Sequence, residues 1–399
     1  MELALYCPLC GFYEKKRDTT GQRGDFYTSV SVGPLFGELL AFQFAEWLME
    51  LRIPGCRLQI VEGGAHDGQL AKDILNWLRL RRPRLFEEIE YRIVEPSTTR
   101  QQWQRETLSE FAPRVRWLAD LYALAGSSSS APLNRQLEIG NQQSSGVCGI
   151  IFANELLDAM PVHRLGWDAK RREWFEWGVT TANERFVWQR LPVSGARGMI
   201  CVPAELLGVL PDGFTTEICP AAEDWWRTAA SVLTQGRLLT IDYGLDGEER
   251  FAPQRANGTL RAYHRHRLAN DVLANPGEQD LTSDVDFTVI QQAGETAGLK
   301  TEAFASQAKF LTGIALRVWQ DGSNFGPWTS GHTRQFQTLT HPDHLGRSFR
   351  VLIQSTAGAH DLTSGQHGAH RQFSACGSLT ATVIAARPLH ESHRDRRTS

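Results

Sequence analysis

IVEGGAHDGQLAKDIL, residues 60–75, decides the fold. An apolar strand over 58–62 ends at Glu62 and runs into the turn Gly63-Gly64-Ala65-His66-Asp67-Gly68. A helix follows over about 69–80 and stops before Pro83. Working outward, EYRIVE (90–95) reads as a second strand and 97–111 as a second helix. Further strands are expected over 115–118, at GIIFA (149–153) and at RLLTID (237–242). Strands alternating with helices predict an α/β sheet with right-handed crossovers. Upstream, Leu35, Phe36, Leu39, Leu40, Phe44, Trp47, Leu48 and Leu51 recur at helical spacing and predict an amphipathic helix over 35–51.

A glycine turn between strand and helix suits a nucleotide-type ligand. Backbone can approach closely there, and the helix N-terminus offers free N–H groups. Gly63 and Gly68 have the spacing of a phosphate loop, but Gln69-Leu70 stand where it needs Lys and Ser or Thr. The dinucleotide pattern G-x-G-x-x-G is also absent. The remaining ligand class lacks a pyrophosphate, with Glu95 gripping ribose hydroxyls, and these features suit S-adenosylmethionine. The pattern alone leaves open a tight turn that binds nothing.

The segment 162–235 breaks the rhythm. Trp167, Trp174, Phe175, Trp177 and Val179 flank a polar turn over 168–172 and predict a hairpin; a helix is expected over about 221–234. The stretch from 245 to 282 reads as an ordered loop. Residues 123–146 read as a surface loop, and 356–399, small, polar and His/Arg-rich, as a disordered tail. At about 150 residues per domain, 399 residues leave room for two or three. The pattern instead divides one catalytic unit into an N-terminal segment (1–55), a core (56–161 and 236–355), an insertion (162–235) and the tail.

Lys and Arg sum to 42 against 45 Asp and Glu, a net charge of −3. Such a balance gives no reason to expect nucleic acid or an anionic membrane as partner. No apolar run is long enough to span a bilayer. Seven scattered cysteines and a start without a signal-peptide pattern lead to the expectation of a cytoplasmic protein with reduced thiols. Cys7-Pro8-Leu9-Cys10 lacks a second ligand pair for zinc, so no metal is expected. It is also not placed at a thioredoxin-like strand–helix junction, and both cysteines are taken as small apolar residues.

Taken together, the segments resemble the MidA-like group of class I S-adenosylmethionine-dependent methyltransferases. The resemblance is carried by LALYCPLCGFY (3–13), GDFYTS (24–29), PLFGELLA (34–41), IVEGGAHDGQLAKDIL, YRIVEPS (91–97), IIFANELLDAMPV (150–162), TEICP (216–220), LLTIDYG (238–244), GTLRAYHRH (258–266), PGEQDLTSDVDF (276–287) and LTHPDHLGRSFRVL (339–352). These come in family order over residues 3 to 355. His66, Asp67, Val30-Ser31 and Asp284 depart from the usual residues, which are Gly, often Arg, Pro-Glu and His. The resemblance implies a Rossmann-like class I sheet with helices on both faces, an inserted substrate-facing segment and a C-terminal extension. Mitochondrial members of the group are complex I assembly factors that symmetrically dimethylate an arginine of a complex I subunit. The implied partner here is therefore a protein, such as a respiratory complex I subunit homologue; a homodimer is also open.

The site expectations follow. Glu62, Gly64, Gly68 and Glu95 are the cofactor set, with Gly24, Asp25, Thr28 and Ser29 forming a loop over the cofactor by resemblance. Asn154, Glu155 and Asp158 follow a buried strand, where strand carboxyl ends expose ligand-contacting groups. Guanidinium keeps its proton, so an arginine acceptor must be gripped by carboxylates. Glu155 is expected to contact the acceptor and Asn154 to lie near the methyl donor. Asp158 either supports them or caps a following helix. Asp242 and Tyr243 either line the substrate pocket or end a strand. His264 and His266 are possible bases or solvated loop residues. Glu217 is either a second substrate carboxylate or a helix-start charge. Two other readings stay open: a scaffold that keeps the fold without catalysis, and a methyltransferase for small molecules.

Overall fold

The computed structural model describes residues 1–15, 28–51, 56–125, 146–193, 202, 206–247, 249–264, 267–320 and 322–357. Gly24, Asp25, His266, most of the 123–146 loop and nearly all of the 356–399 tail lie outside the described residues.

The N-terminal helix α1 (Glu2–Tyr6) is followed by α2 (Leu35–Glu50). The central unit then begins: β1 (Leu58–Gly63), α3 (Gln69–Arg81), α4 (Pro83–Glu88), β2 (Glu90–Val94), α5 (Thr98–Thr107), β3 (Val115–Leu118) and β4 (Val147–Asn154). The insertion carries β5 (His163–Asp168), β6 (Glu173–Ala182), β7 (Arg185–Pro192), β8 (Thr215–Ile218) and α6 (Pro220–Val232). The chain rejoins the centre at β9 (Leu233–Leu245) and continues through β10 (Arg261–His264), β11 (Arg267–Leu268), β12 (Asp280–Thr282), β13 (Val285–Asp286) and α7 (Phe287–Thr296). It closes with β14 (Lys300–Ser306), α8 (Gln307–Gln320), α9 (Gly322–Phe325), α10 (Ser330–Thr340) and β15 (Phe349–Ser355).

The central sheet runs β14-β15-β9-β4-β1-β2-β3, with β13 added to β9. The β9-β4-β1-β2-β3 pairings are parallel, and β15 is antiparallel to both its neighbours. β1 and β4 are buried almost end to end, as parallel strands covered on both faces must be. Helices α2, α3, α8 and α10 contribute to one apolar layer, and α6 and α7 to another. Strand order reverses between β1 and β4. At that switch point the carboxyl ends of the strands leave a crevice, the place where open α/β sheets bind ligands.

Close packing at the centre uses glycine where nothing else fits. Gln59, Gly149 and Gly236 lie in register across β1, β4 and β9. A Cβ on Gly149 would stand 2.0 Å from the Gln59 carbonyl oxygen.

Three expectations change. α2 is not amphipathic in place: Phe42, Gln43, Phe44 and Ala45 are buried along with the Leu face. The contacts of α8 and α10 with α2 cover the side that would otherwise meet water. The 162–220 segment is more than a hairpin; it forms a four-stranded sheet ordered β7-β6-β5-β8. The β6–β7 turn is Asn183-Glu184, with φ +48° and +62°, a hairpin geometry without the glycine that signals it in sequence. Finally, 245–282 is not only loop, since β10 pairs with β11 and β12. These strands of two to four residues are too short to show alternation. Among the described residues, no helix is long and apolar enough to cross a membrane.

Candidate active site

A cavity of about 400 Å³ opens at the switch point. Its volume falls within the roughly 300–1,000 Å³ range of small-molecule sites. Five parts of the chain build it, among them Tyr243 of β9. The β1–α3 turn supplies Glu62, Gly64, Ala65, His66 and Asp67; the end of β4 supplies Asn154, Glu155 and Asp158. Arg261, Tyr263 and the Asp280–Asp284 stretch come from β10, β12 and the turn after it. Phe12, Tyr13 and Thr28 come from the N-terminal segment.

The glycine turn is shaped by its backbone. Gly64 has φ +69°, and a Cβ there would lie 2.7 Å from Leu156 Cδ1. Gly68 (φ +87°) starts α3, but it packs against Leu108 and does not line the cavity. His66 stands in the left-handed region at φ +46°, a conformation that glycine adopts without strain. Its carbonyl is held by Gln104 Nε2 at 3.0 Å. Glu62 is 2% exposed and accepts a hydrogen bond from the Tyr91 hydroxyl at 2.7 Å. Burial pushes its pKa up to about 8.

Glu95, expected to grip ribose hydroxyls, directly follows β2. It is fully buried and does not line the cavity. Its carboxylate is taken by Arg100 at 3.0 Å, the Ser97 N–H at 2.9 Å and Gln104 Nε2 at 3.3 Å. Ser29 is likewise turned inward, donating to Gln307 Oε1, while Thr28 reaches the wall.

After β4 the backbone takes an unusual path. Glu155 has φ +51°, a conformation that costs an L-residue roughly 1–2 kcal/mol. It is held there from both sides: its N–H donates to the Ile241 carbonyl at 2.9 Å, and the Leu156 and Leu157 N–H groups donate to Asp242 Oδ2 at 3.2 and 2.8 Å. Asp242 therefore braces the loop from behind and does not line the cavity, whereas Tyr243 does. No helix follows Asp158, so it caps none; the chain turns there instead. Asn154 Nδ2 donates to Glu155 Oε1 at 3.1 Å. Asn154 Oδ1 is buried without a hydrogen-bond partner among the described residues.

The cavity gathers acids. Desolvation, then the charge of Asp242, pushes the Glu155 pKa up to about 8. The same two causes hold Asp158 well above the carboxylate range. Burial also raises Asp284, opposed by the Arg261 guanidinium 3.3 Å away. Asp280 accepts a hydrogen bond from the Tyr13 hydroxyl at 2.7 Å. Carboxylates crowded in low dielectric repel one another, so the arrangement is electrostatically prepared for a cation.

Of the remaining candidates, Glu217 lies off the main cavity and accepts from the Thr259 N–H at 2.7 Å. His264 Nδ1 is 2.9 Å from the Glu278 carbonyl and also lies off it. Sequence reasoning assigned no site role to Phe12, Tyr13, Arg261, Tyr263, Asp280 and Asp284. They sit inside the quoted motifs 3–13, 258–266 and 276–287, which were the available signal.

Comparison with known proteins agrees with this geometry. Residues 39–305 match the profile of a family described as "Putative S-adenosyl-L-methionine-dependent methyltransferase". A Drosophila melanogaster relative, protein arginine methyltransferase NDUFAF7 homolog, mitochondrial, is 31% identical over 88% of this chain and 79% of its own. Human protein arginine methyltransferase NDUFAF7, mitochondrial, is 29% identical over 88% and 78%. A Burkholderia thailandensis structure bound to S-adenosyl-homocysteine superposes with a TM-score of 0.70 at 32% identity, covering 89% of this chain and 86% of that one. The curated relatives are named as mitochondrial proteins, which overturns the expectation of a cytoplasmic one. Fold, family profile and relatives converge: the chain belongs to this family of S-adenosylmethionine-dependent methyltransferases.

Proposed function

We propose that the chain methylates the guanidinium of an arginine in a protein partner. The observation that carries this reading is the set of acids around one cavity with the glycine turn: Asp158 and Asp280, which are buried, and Glu155 and Asp284, which are half-buried. Glu155 and Asp158 grip and orient the guanidinium, and Asp242 holds Glu155 in its strained position. Alignment of this kind supplies most of the acceleration in a displacement that needs no covalent help. S-adenosylmethionine, when bound, supplies the electrophilic methyl group on a sulfonium.

The wall fits that cofactor. Glu62 and Gly64 of the glycine turn and Thr28 of the N-terminal segment line it, and Asn154 Oδ1, without a hydrogen-bond partner among the described residues, can accept from an amino group. Both the sulfonium and the guanidinium are cations, which the crowded acids favour. The names of the relatives support protein arginine as acceptor. By the same resemblance the product is a symmetric dimethylarginine and the partner a respiratory complex I subunit homologue.

A second reading, a small-molecule acceptor, draws support from the cavity volume, which lies low in the usual range and has Phe12 and Tyr13 in its wall. One experiment separates the readings. The chain is incubated with labelled cofactor and cell extract, and the labelled species are identified by mass spectrometry. Label on methylarginine is expected. Label confined to small molecules refutes the protein acceptor. Absence of S-adenosyl-homocysteine binding by calorimetry, with no label anywhere, favours a scaffold.

A further inference from the structure

The Cys7-Pro8-Leu9-Cys10 segment does not pack as apolar filler. Cys7 is half-buried, Cys10 is exposed, and Leu9 between them is 93% exposed. The segment folds into a tight turn in which the Cys10 and Gly11 N–H groups donate to the Cys7 carbonyl at 3.2 and 2.7 Å. A β-turn brings the α-carbons of its first and last residues within about 7 Å. Disulfides span roughly 4.4–6.8 Å between α-carbons. The turn sets the two thiols near each other, and the Leu9 and Cys10 N–H groups lie on the side of the Cys7 sulfur, where they favour its thiolate.

We propose that Cys7 and Cys10 form a thiol–disulfide exchange site, with Cys7 as the attacking thiol and Cys10 as the resolving one. The co-reactant is a small-molecule disulfide. The Cys7 thiolate attacks one sulfur of that disulfide, a mixed disulfide forms, and one thiolate leaves and takes up a proton. Cys10, losing its own proton, then attacks the Cys7 sulfur and expels the second thiol. The chain is oxidised by two electrons and the co-reactant is reduced to two thiols. The backbone N–H groups at Cys7 lower its pKa, whereas the neighbouring Cys7 sulfur raises that of Cys10, which fits this order of attack.

The site adjoins the cavity through two routes. Gly11 leads directly into Phe12 and Tyr13, which line the wall, and Tyr13 bonds Asp280. The Cys10 carbonyl packs against Gly277, where a Cβ would stand only 2.2 Å from it, three residues before Asp280. Closing the disulfide therefore stiffens both segments.

The test treats the reduced full chain with a glutathione redox couple, then quenches with acid, alkylates and maps peptides by mass spectrometry. A Cys7–Cys10 disulfide is expected, resistant to alkylation. A Cys10→Ser variant accumulates glutathione on Cys7, and a Cys7→Ser variant accumulates it on Cys10 at least tenfold more slowly. A pair that stays fully alkylatable in oxidised glutathione overturns the site. Faster glutathionylation of Cys10 than of Cys7 overturns the assigned roles. Hydrogen–deuterium exchange reads the coupling without any ligand: amides of 11–15 and 277–282 are expected to exchange at least threefold more slowly in the oxidised chain. Equal exchange in both states overturns that link.

Discussion

The acidity of Glu155 turns the proposed reaction into a pH experiment. Desolvation and the charge of Asp242 place its pKa at about 8 when no cation stands beside it. At pH 7 the protonated form then outnumbers the carboxylate by about ten to one. A guanidinium binds the carboxylate, so the proton must leave first, at a cost of about 1.4 kcal/mol per unit of pH below the pKa. Below pH 8, kcat/KM for an arginine acceptor should rise with a slope near one. Between pH 7 and pH 9 the gain should approach tenfold and then level off. The acceptor does not titrate in this window, so the rise belongs to the protein. Asp242, with a pKa pushed up to about 7, titrates nearby, but its carboxylate is held by backbone N–H groups of its own loop. Glu155→Gln therefore isolates the contribution of Glu155. The assay is the initial rate of label transfer at subsaturating acceptor from pH 6 to 9, for both chains. The variant should lose most of its activity and the tenfold rise, while keeping its affinity for S-adenosyl-homocysteine. A flat wild-type profile, or a variant that keeps both rate and slope, would refute the reasoning.

The other predictions probe the frame around that residue. Glu62 has its folded pKa raised to about 8, so its contribution to stability is complete below the ordinary carboxylate pKa of about 4.3 and is lost as pH rises through 8. Glu62→Gln keeps an acceptor for Tyr91, and its melting temperature should overtake that of wild type between pH 6 and 9; parallel curves by circular dichroism would count against a buried neutral acid. Gly64→Ala forces a left-handed residue against Leu156, and should weaken S-adenosyl-homocysteine binding at least tenfold by calorimetry; unchanged affinity removes this turn from the cofactor site. Gly149→Ala places a Cβ 2.0 Å from the Gln59 carbonyl and should destabilise the chain by more than about 3 kcal/mol in urea unfolding. A loss below about 1 kcal/mol would show that β4 can move away from β1.

Much of this molecule follows from local patterns. The run 58–81 reads as strand, turn and helix because its strand is largely apolar (Leu58, Ile60, Val61), its glycines accept left-handed angles and its helix repeats Leu70, Ile74 and Leu78 at one face. Asn154, Glu155 and Asp158 were legible as site candidates because they follow a buried parallel strand, and such strand ends meet at one edge. Local patterns did not tell which way the neighbours turn. Glu95 follows β2 and Asp242 lies near the end of β9, yet Glu95 turns to Arg100 and Asp242 turns to brace the loop holding Glu155. The wall opposite was also hidden: β10 and β12 are too short for alternation to show, and Tyr13 meets Asp280 across 267 residues of chain. Periodicity records which face of an element is buried, so by itself the sequence determined the α/β order and the crevice. Which acids share that crevice, and hence how strongly they repel and what charge they await, depends on contacts between distant segments, and only the tertiary structure decided it.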